Sequence, residues 1–140
     1  MFLLDTNVLW ELRRLDRTDP GVAAWADALD PSDLFLSAIT ILEIEIGTLM
    51  IGGRDQAQGT MFRAWMDNKV LPAFEGRILP VDTAVAQACA RLHVPNPKAE
   101  RDALIAATAL VHRLKLATRN VADFQPMGVD LVNPWDHRAV

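Results

Sequence analysis

Apolar residues follow two rhythms along this chain. Short apolar runs bounded by turn residues fall at Phe2–Leu4, Leu34–Ser37, Arg77–Asp82, Lys115–Thr118 and Val129–Val132, and each predicts a buried strand. Pro80 favours a sheet edge for the third of them, because proline has no N–H to give to a ladder. Between these runs the spacing becomes helical, over about Val8–Arg14, Gly21–Leu29, Thr40–Met50, Asp55–Leu71, Thr83–Leu92 and Ala99–Leu114. Asp5-Thr6-Asn7 reads as a turn after the first strand, Asp19-Pro20 as an N-cap with proline in the first turn, and Gly52-Gly53 as a helix interruption. Short strands alternating with helices predict an α/β fold: a three-layer α/β/α sandwich around a parallel five-stranded sheet.

The length of 140 residues suits one domain over 1–140, and 51% hydrophobic residues are enough to build its core. No apolar run approaches the roughly 20 residues of a membrane span. The N-terminus lacks the basic region and cleavage site of a signal peptide, so a cytoplasmic location is expected. The lone Cys89 excludes an internal disulfide and a multi-cysteine zinc site, and its alanine-rich surroundings predict a buried, inert thiol. A net charge of −4 argues against a protein that coats nucleic acid with a basic surface. It leaves open an enzyme that meets nucleic acid through a metal held among carboxylates.

The acids change the picture. Ligands of open parallel sheets bind beyond the carboxyl ends of the strands. Asp5 ends the first strand, Glu43 lies in the helix after the second, and Asp123 follows the fourth. Asp102 sits near the start of the helix that feeds the fourth strand and can point to the same edge. Two carboxylates about 5 Å apart repel by roughly 3 kcal/mol at an effective dielectric of 20, so such a cluster takes up protons or a cation. All-oxygen ligands suit Mg²⁺, with Mn²⁺ as the alternative.

Each acid also has a plainer reading. Thr40-Ile41-Leu42-Glu43 has the spacing of a capping box, Asp102 suits the positive end of its helix, and Asp123 suits a turn or N-cap. Asp5 is the hardest to explain by packing.

Four blocks, FLLDTNVLWELRR, LSAITILEIEIG, RDALIAATAL and LATRNVADF, occur in an order and spacing that resemble the PIN-domain ribonucleases. Within that family they resemble VapC-type toxins of bacterial toxin–antitoxin pairs, close to the FitB-like branch. The resemblance implies a parallel sheet of order 3-2-1-4-5. It implies a Mg²⁺-dependent endoribonuclease that cleaves RNA with metal-activated water. Asp5, Glu43, Asp102 and Asp123 would be the metal-binding and catalytic acids, with Asp123 the most variable in kind. Thr6, Asn7, Thr118 and Asn120 match supporting polar residues, and Gly47 a small position that permits close helix packing. A homodimer and an antitoxin partner are implied, assembled together, with the helix around Met61, Phe62, Trp65 and Met66 a candidate for either contact or for ordinary core.

Arg119, between Thr118 and Asn120, is a candidate phosphate contact, and the Arg13, Arg14 and Arg17 cluster a weaker one. Glu45 and Asp82 have no matching role and read as structural or solvated. His93, His112 and His137 have no zinc-ligand spacing, and Trp10, Trp25 and Trp135 read as packing residues. Two rivals stand beside the nuclease. A phosphatase of the haloacid-dehalogenase kind wants a second acid two residues after Asp5, where this chain has Asn7. A non-catalytic PIN-like module would bind RNA or a partner without cleaving.

Overall fold

In the computed structural model, which describes residues 1–138, the strands are β1 (Phe2–Leu4), β2 (Leu34–Ser37), β3 (Ile78–Leu79), β4 (Lys115–Ala117) and β5 (Leu131–Val132). They form one sheet in the order β3-β2-β1-β4-β5, with every pair parallel. The helices are α1 (Thr6–Leu12), α2 (Pro20–Asp27), α3 (Ala38–Arg54), α4 (Gln56–Trp65), α5 (Leu71–Ala73), α6 (Thr83–Leu92), α7 (Glu100–His112) and α8 (Val121–Phe124). No helix among the described residues is long and apolar enough to cross a membrane.

Strand periodicity divides the core. Successive side chains leave a strand on opposite faces, so Leu4 and Ala117 join one cluster while Leu3 and Leu116 join another. The first cluster packs α1, α2 and α3 against the sheet through Val8, Leu9, Trp25 and Ile44. The second uses Ile105, Ala106 and Ala109 of α7 with Phe124 of α8. A third joins Val85, Ala88 and Cys89 of α6 to Ala103 and Ala107 of α7. Both sheet faces are therefore covered, and Cys89 is buried as expected, where burial pushes its thiol pKa up.

Helix ends depart from the expected bounds for physical reasons. The first helix starts at Thr6 instead of Val8, because Asp5 itself caps it by accepting the Thr6 N–H at 2.8 Å. The capping box at Thr40–Glu43 does not form. Ser37 takes the cap of α3, its hydroxyl accepting from the Ile39 N–H at 3.0 Å, and Glu43 is left free for other contacts. Nor do Gly52 and Gly53 interrupt α3, which runs to Arg54 before Asp55 caps α4. The glycines serve another purpose. A Cβ on Gly59 would stand 2.5 Å from the Gly52 Cα, so the α3–α4 hairpin closes backbone to backbone. Close packing was expected at Gly47, yet a Cβ there meets nothing within 4 Å.

Beyond α4 the helix widens into a π-helical turn at Met66–Val70 before α5. Phe62 and Met66 are buried and Trp65 packs against the core, whereas Met61 is exposed. Of its four large apolar residues, Phe62, Trp65 and Met66 thus serve the core and Met61 does not. The third strand is shorter than expected, since Pro80 ends it and Asp82 caps α6. The fifth loses Val129 and Asp130 from its start. Asp19 caps α2 as expected, accepting from Gly21 N and Val22 N.

Candidate active site

The carboxyl ends of β1, β2 and β4 meet at one edge of the sheet, and the acids gather there. An open pocket of about 290 Å³ is lined by Asp5, Thr6, Asn7, Trp10, Glu43, Asp102 and Asn120. Asp5 reaches it because β1 ends there. Glu43 projects from the second turn of α3, and Asp102 from the first turn of α7. Asp123 does not line the pocket. It is exposed on the first turn of α8 and acts on the site through charge, helping to raise the pKa of Asp102.

Asp5 is the most constrained of the four, at 5% exposure. Its Oδ1 accepts the Thr6 N–H, and its Oδ2 accepts the Thr118 hydroxyl at 2.7 Å and the Asn7 amide at 3.3 Å. The Thr118 oxygen in turn accepts the Asn120 N–H at 3.0 Å, which leaves its proton for Asp5. Asn7 is itself tied down, its carbonyl oxygen accepting the Arg119 N–H at 3.2 Å. Glu43 has a separate support. The Thr6 hydroxyl donates to Glu43 Oε1 at 2.6 Å and stands 3.2 Å from Thr40 Oγ1, whose proton it can accept. Thr6, Asn7 and Thr118 therefore hydrogen-bond to the acids, and Asn120 bonds to Thr118 through its backbone N–H.

The electrostatics follow from burial and crowding. Asp5 is pushed up to about 6, chiefly by loss of solvent, with further upward pressure from Asp102 and Glu43. Hydrogen bonds from Thr118 and Thr6 oppose that rise. Burial also raises Asp102, which Glu43 and Asp123 push further while Arg101 pulls it back. Among the described residues no three acidic, histidine or cysteine side chains are drawn together tightly enough to hold an ion unaided. Mg²⁺ keeps several waters instead of demanding a closed protein cage, so carboxylates spaced around one pocket can serve it. The donors are all oxygens, one of them buried and reluctant to ionise alone, and this set fits a hard divalent cation.

Several assignments change in the structure. Trp10, read as packing, lines the pocket while also supporting Arg13, whose guanidinium lies 4.4 Å from the indole centroid. Trp135 lies beneath Arg119 at 5.1 Å. Arg14 pairs with Glu11 at 3.2 Å. Arg101 was not anticipated at all, and its Nη1 stands 3.7 Å from Glu43 Oε2. Only its place beside Asp102 could have pointed to it. Glu45 and Asp82 are structural, the first paired with Arg63 and the second capping α6.

The chain is similar to known proteins over nearly its whole length. The family model for the PIN domain matches residues 2–125. VapC ribonuclease Y4jK of Sinorhizobium fredii is 37% identical, with the match covering 97% of this chain and 99% of that protein. Toxin FitB of Neisseria gonorrhoeae is 38% identical, covering 96% and 99%. Among solved structures, FitAcB from Neisseria gonorrhoeae superposes with a TM-score of 0.88 at 36% identity, over 97% of this chain and 99% of that one.

Proposed function

This chain belongs to the PIN-domain family, and from that premise we propose that it is a divalent-metal-dependent endoribonuclease, the toxin of a toxin–antitoxin pair. The ion we assign is Mg²⁺, with Mn²⁺ able to replace it. Asp5, Glu43 and Asp102 would hold it, and Asp123, exposed and outside the pocket, would act through water. The observation that carries this reading is the meeting in one pocket of three acids from distant parts of the chain, Asp5, Glu43 and Asp102, with the buried Asp5 pushed up to about 6.

When bound, the ion supplies Lewis acidity, making water a stronger nucleophile and offsetting charge on the phosphate. The chain's own residues supply the positioning. Thr118, Asn7 and the Thr6 N–H fix the Asp5 carboxylate, and the Thr6 hydroxyl fixes Glu43. Arg119, its guanidinium lying over Trp135, is assigned as a contact for an RNA phosphate. RNA is the substrate class, a homodimer the working form, an antitoxin the protein partner and the cytoplasm the setting. VapC and FitB relatives and the FitAcB structure support the nuclease and toxin parts of this reading.

The test is cleavage of single-stranded RNA by purified protein with Mg²⁺ or Mn²⁺, against the same protein in EDTA. Cleavage that persists in EDTA sinks the metal mechanism. Toxicity on expression that survives Asp102→Ala favours a binding module over an enzyme.

A further inference from the structure

One contact in the pocket is unused by the proposed reaction. Arg101, in the first turn of α7, brings Nη1 to 3.7 Å from Glu43 Oε2. Charge-assisted hydrogen bonds run about 2.7–2.9 Å, so this pair attracts without locking. The Arg101 side chain is 51% exposed, whereas that of Glu43 is 25% exposed. Thr6 already engages the other Glu43 oxygen. Arg101 also acts on its neighbour Asp102, so one guanidinium offsets charge on two of the three pocket acids.

A guanidinium and a divalent cation draw on the same carboxylate charge, and they exclude one another close to it. Asp5, Glu43 and Asp102 would hold a doubly charged ion, which would compete with the half-solvated guanidinium for Glu43. Once displaced, the guanidinium is a planar fork of N–H donors at the mouth of an acidic pocket, and its best-matched partner is a phosphate. Building on the nuclease reading, we infer that Arg101 positions the RNA phosphate. Arg101 stands beside Glu43 in the structure, and a cation held by that carboxylate would leave the guanidinium free for the phosphate. The pocket thereby gains phosphate affinity only after metal loading, which orders the two binding events.

The first test needs no RNA. Calorimetric titration of Mn²⁺ into the protein should show Arg101→Gln binding the ion up to about fivefold more tightly than wild type, the upper end for a solvent-screened pair. Arg91→Gln removes the same charge from the exposed end of α6 and should leave the affinity unchanged. In cleavage assays at saturating Mn²⁺, Arg101→Gln should raise KM for RNA about tenfold with a smaller change in kcat. Arg101→Lys should recover part of that loss. Unchanged or weaker Mn²⁺ binding by Arg101→Gln, or equal tightening by Arg91→Gln, overturns the competition for Glu43. An unchanged KM overturns the phosphate contact. If the wild-type protein takes up no Mn²⁺, the nuclease reading itself fails, and that outcome is distinct from the others.

Discussion

Helix α3 carries two glutamates two residues apart, on nearly opposite sides, and they meet opposite surroundings. Glu45 turns to α4, where Arg63 grips both of its oxygens at 2.9 and 2.5 Å. That pairing holds Glu45 below the usual carboxylate range. Glu43 turns to the sheet edge, where Thr6 donates to one oxygen at 2.6 Å, its arginine stands off at 3.7 Å, and Asp5 and Asp102 share its pocket. Identical side chains on one helix are thus a closed ion pair on one side and a loosely paired carboxylate in an acidic pocket on the other. Sequence position does not separate them; the element across from each does. Where a carboxylate is neutralised by the protein, it serves structure. Where acids share a pocket without a full counter-charge, their pKa values rise, as those of Asp5 and Asp102 do.

The sharpest way to break this contrast is to neutralise one acid on each side. Asp5→Asn should reduce RNA cleavage by on the order of a thousandfold, the several kcal/mol that a correctly held metal contributes to the transition state. Glu45→Gln should leave the rate within about twofold of wild type, since Glu45 touches no group of the site. Single-turnover assays with Mn²⁺ measure both. Equal losses would show that the ion pair, too, belongs to the catalytic apparatus.

The pH response should separate the two sides with a smaller effect. The folded-state pKa of Asp5 rises from 3.8 to about 6, above its unfolded value. The folded protein therefore keeps this proton longer than the unfolded chain does. Metal-free protein should lose about 3 kcal/mol of Asp5-linked stability as pH climbs across that interval, with no further loss above it. Asp102, also raised, adds in the same direction, whereas Glu45, lowered by Arg63, works in the opposite sense. Urea unfolding in EDTA across this range checks the slope, and Asp5→Asn should flatten it. A divalent cation should restore stability most at the upper end, where the carboxylates are charged.

How far these differences were legible in the sequence depends on whether a signal is periodic or spatial. β2 lies where its apolar run placed it, and Asp5, Glu43 and Asp102 converge because strand ends define a sheet edge that topology makes common. Local polar signals misled more often. Thr40 and Glu43 have the letters of a capping box, but β2 ends at Ser37, whose hydroxyl reaches the first free N–H before Thr40 can. Gly52 and Gly53 look like a break because glycine weakens helices, yet tertiary contact with α4 outweighs that preference. Arg101 gave no signal, because an exposed arginine beside a helix start has many solvated uses, and only the placement of Glu43 opposite it confers a role. Asp123, expected to be the most variable acid, is the one that stands outside the pocket.

The supports of the acids give the next smaller effect. Thr118→Val keeps the shape of a fully buried side chain and removes the hydroxyl that Asp5 accepts at 2.7 Å. Metal affinity should fall about ten- to a hundredfold, the usual cost of losing an outer partner of a ligand. Mn²⁺ calorimetry reads it directly. Unchanged affinity would mean that Asn7 and the Thr6 N–H suffice to hold Asp5 in place.

The smallest effects lie in the α3–α4 hairpin and test whether its glycines serve the packing or the site. At Gly59 an added methyl meets the Gly52 backbone, and neither helix can yield without opening the α3–α4 contact. Gly59→Ala should therefore destabilise the fold by about 1–3 kcal/mol, as overpacking does. Gly47, one turn after Glu43, faces open space, so Gly47→Ala should gain up to about 1 kcal/mol from helix propensity alone. Denaturant midpoints for the two variants should move in opposite directions. A loss at Gly47 comparable to that at Gly59 would place another surface against α3 at that turn, such as the second protomer of a homodimer. A midpoint that also depends on protein concentration would then identify it.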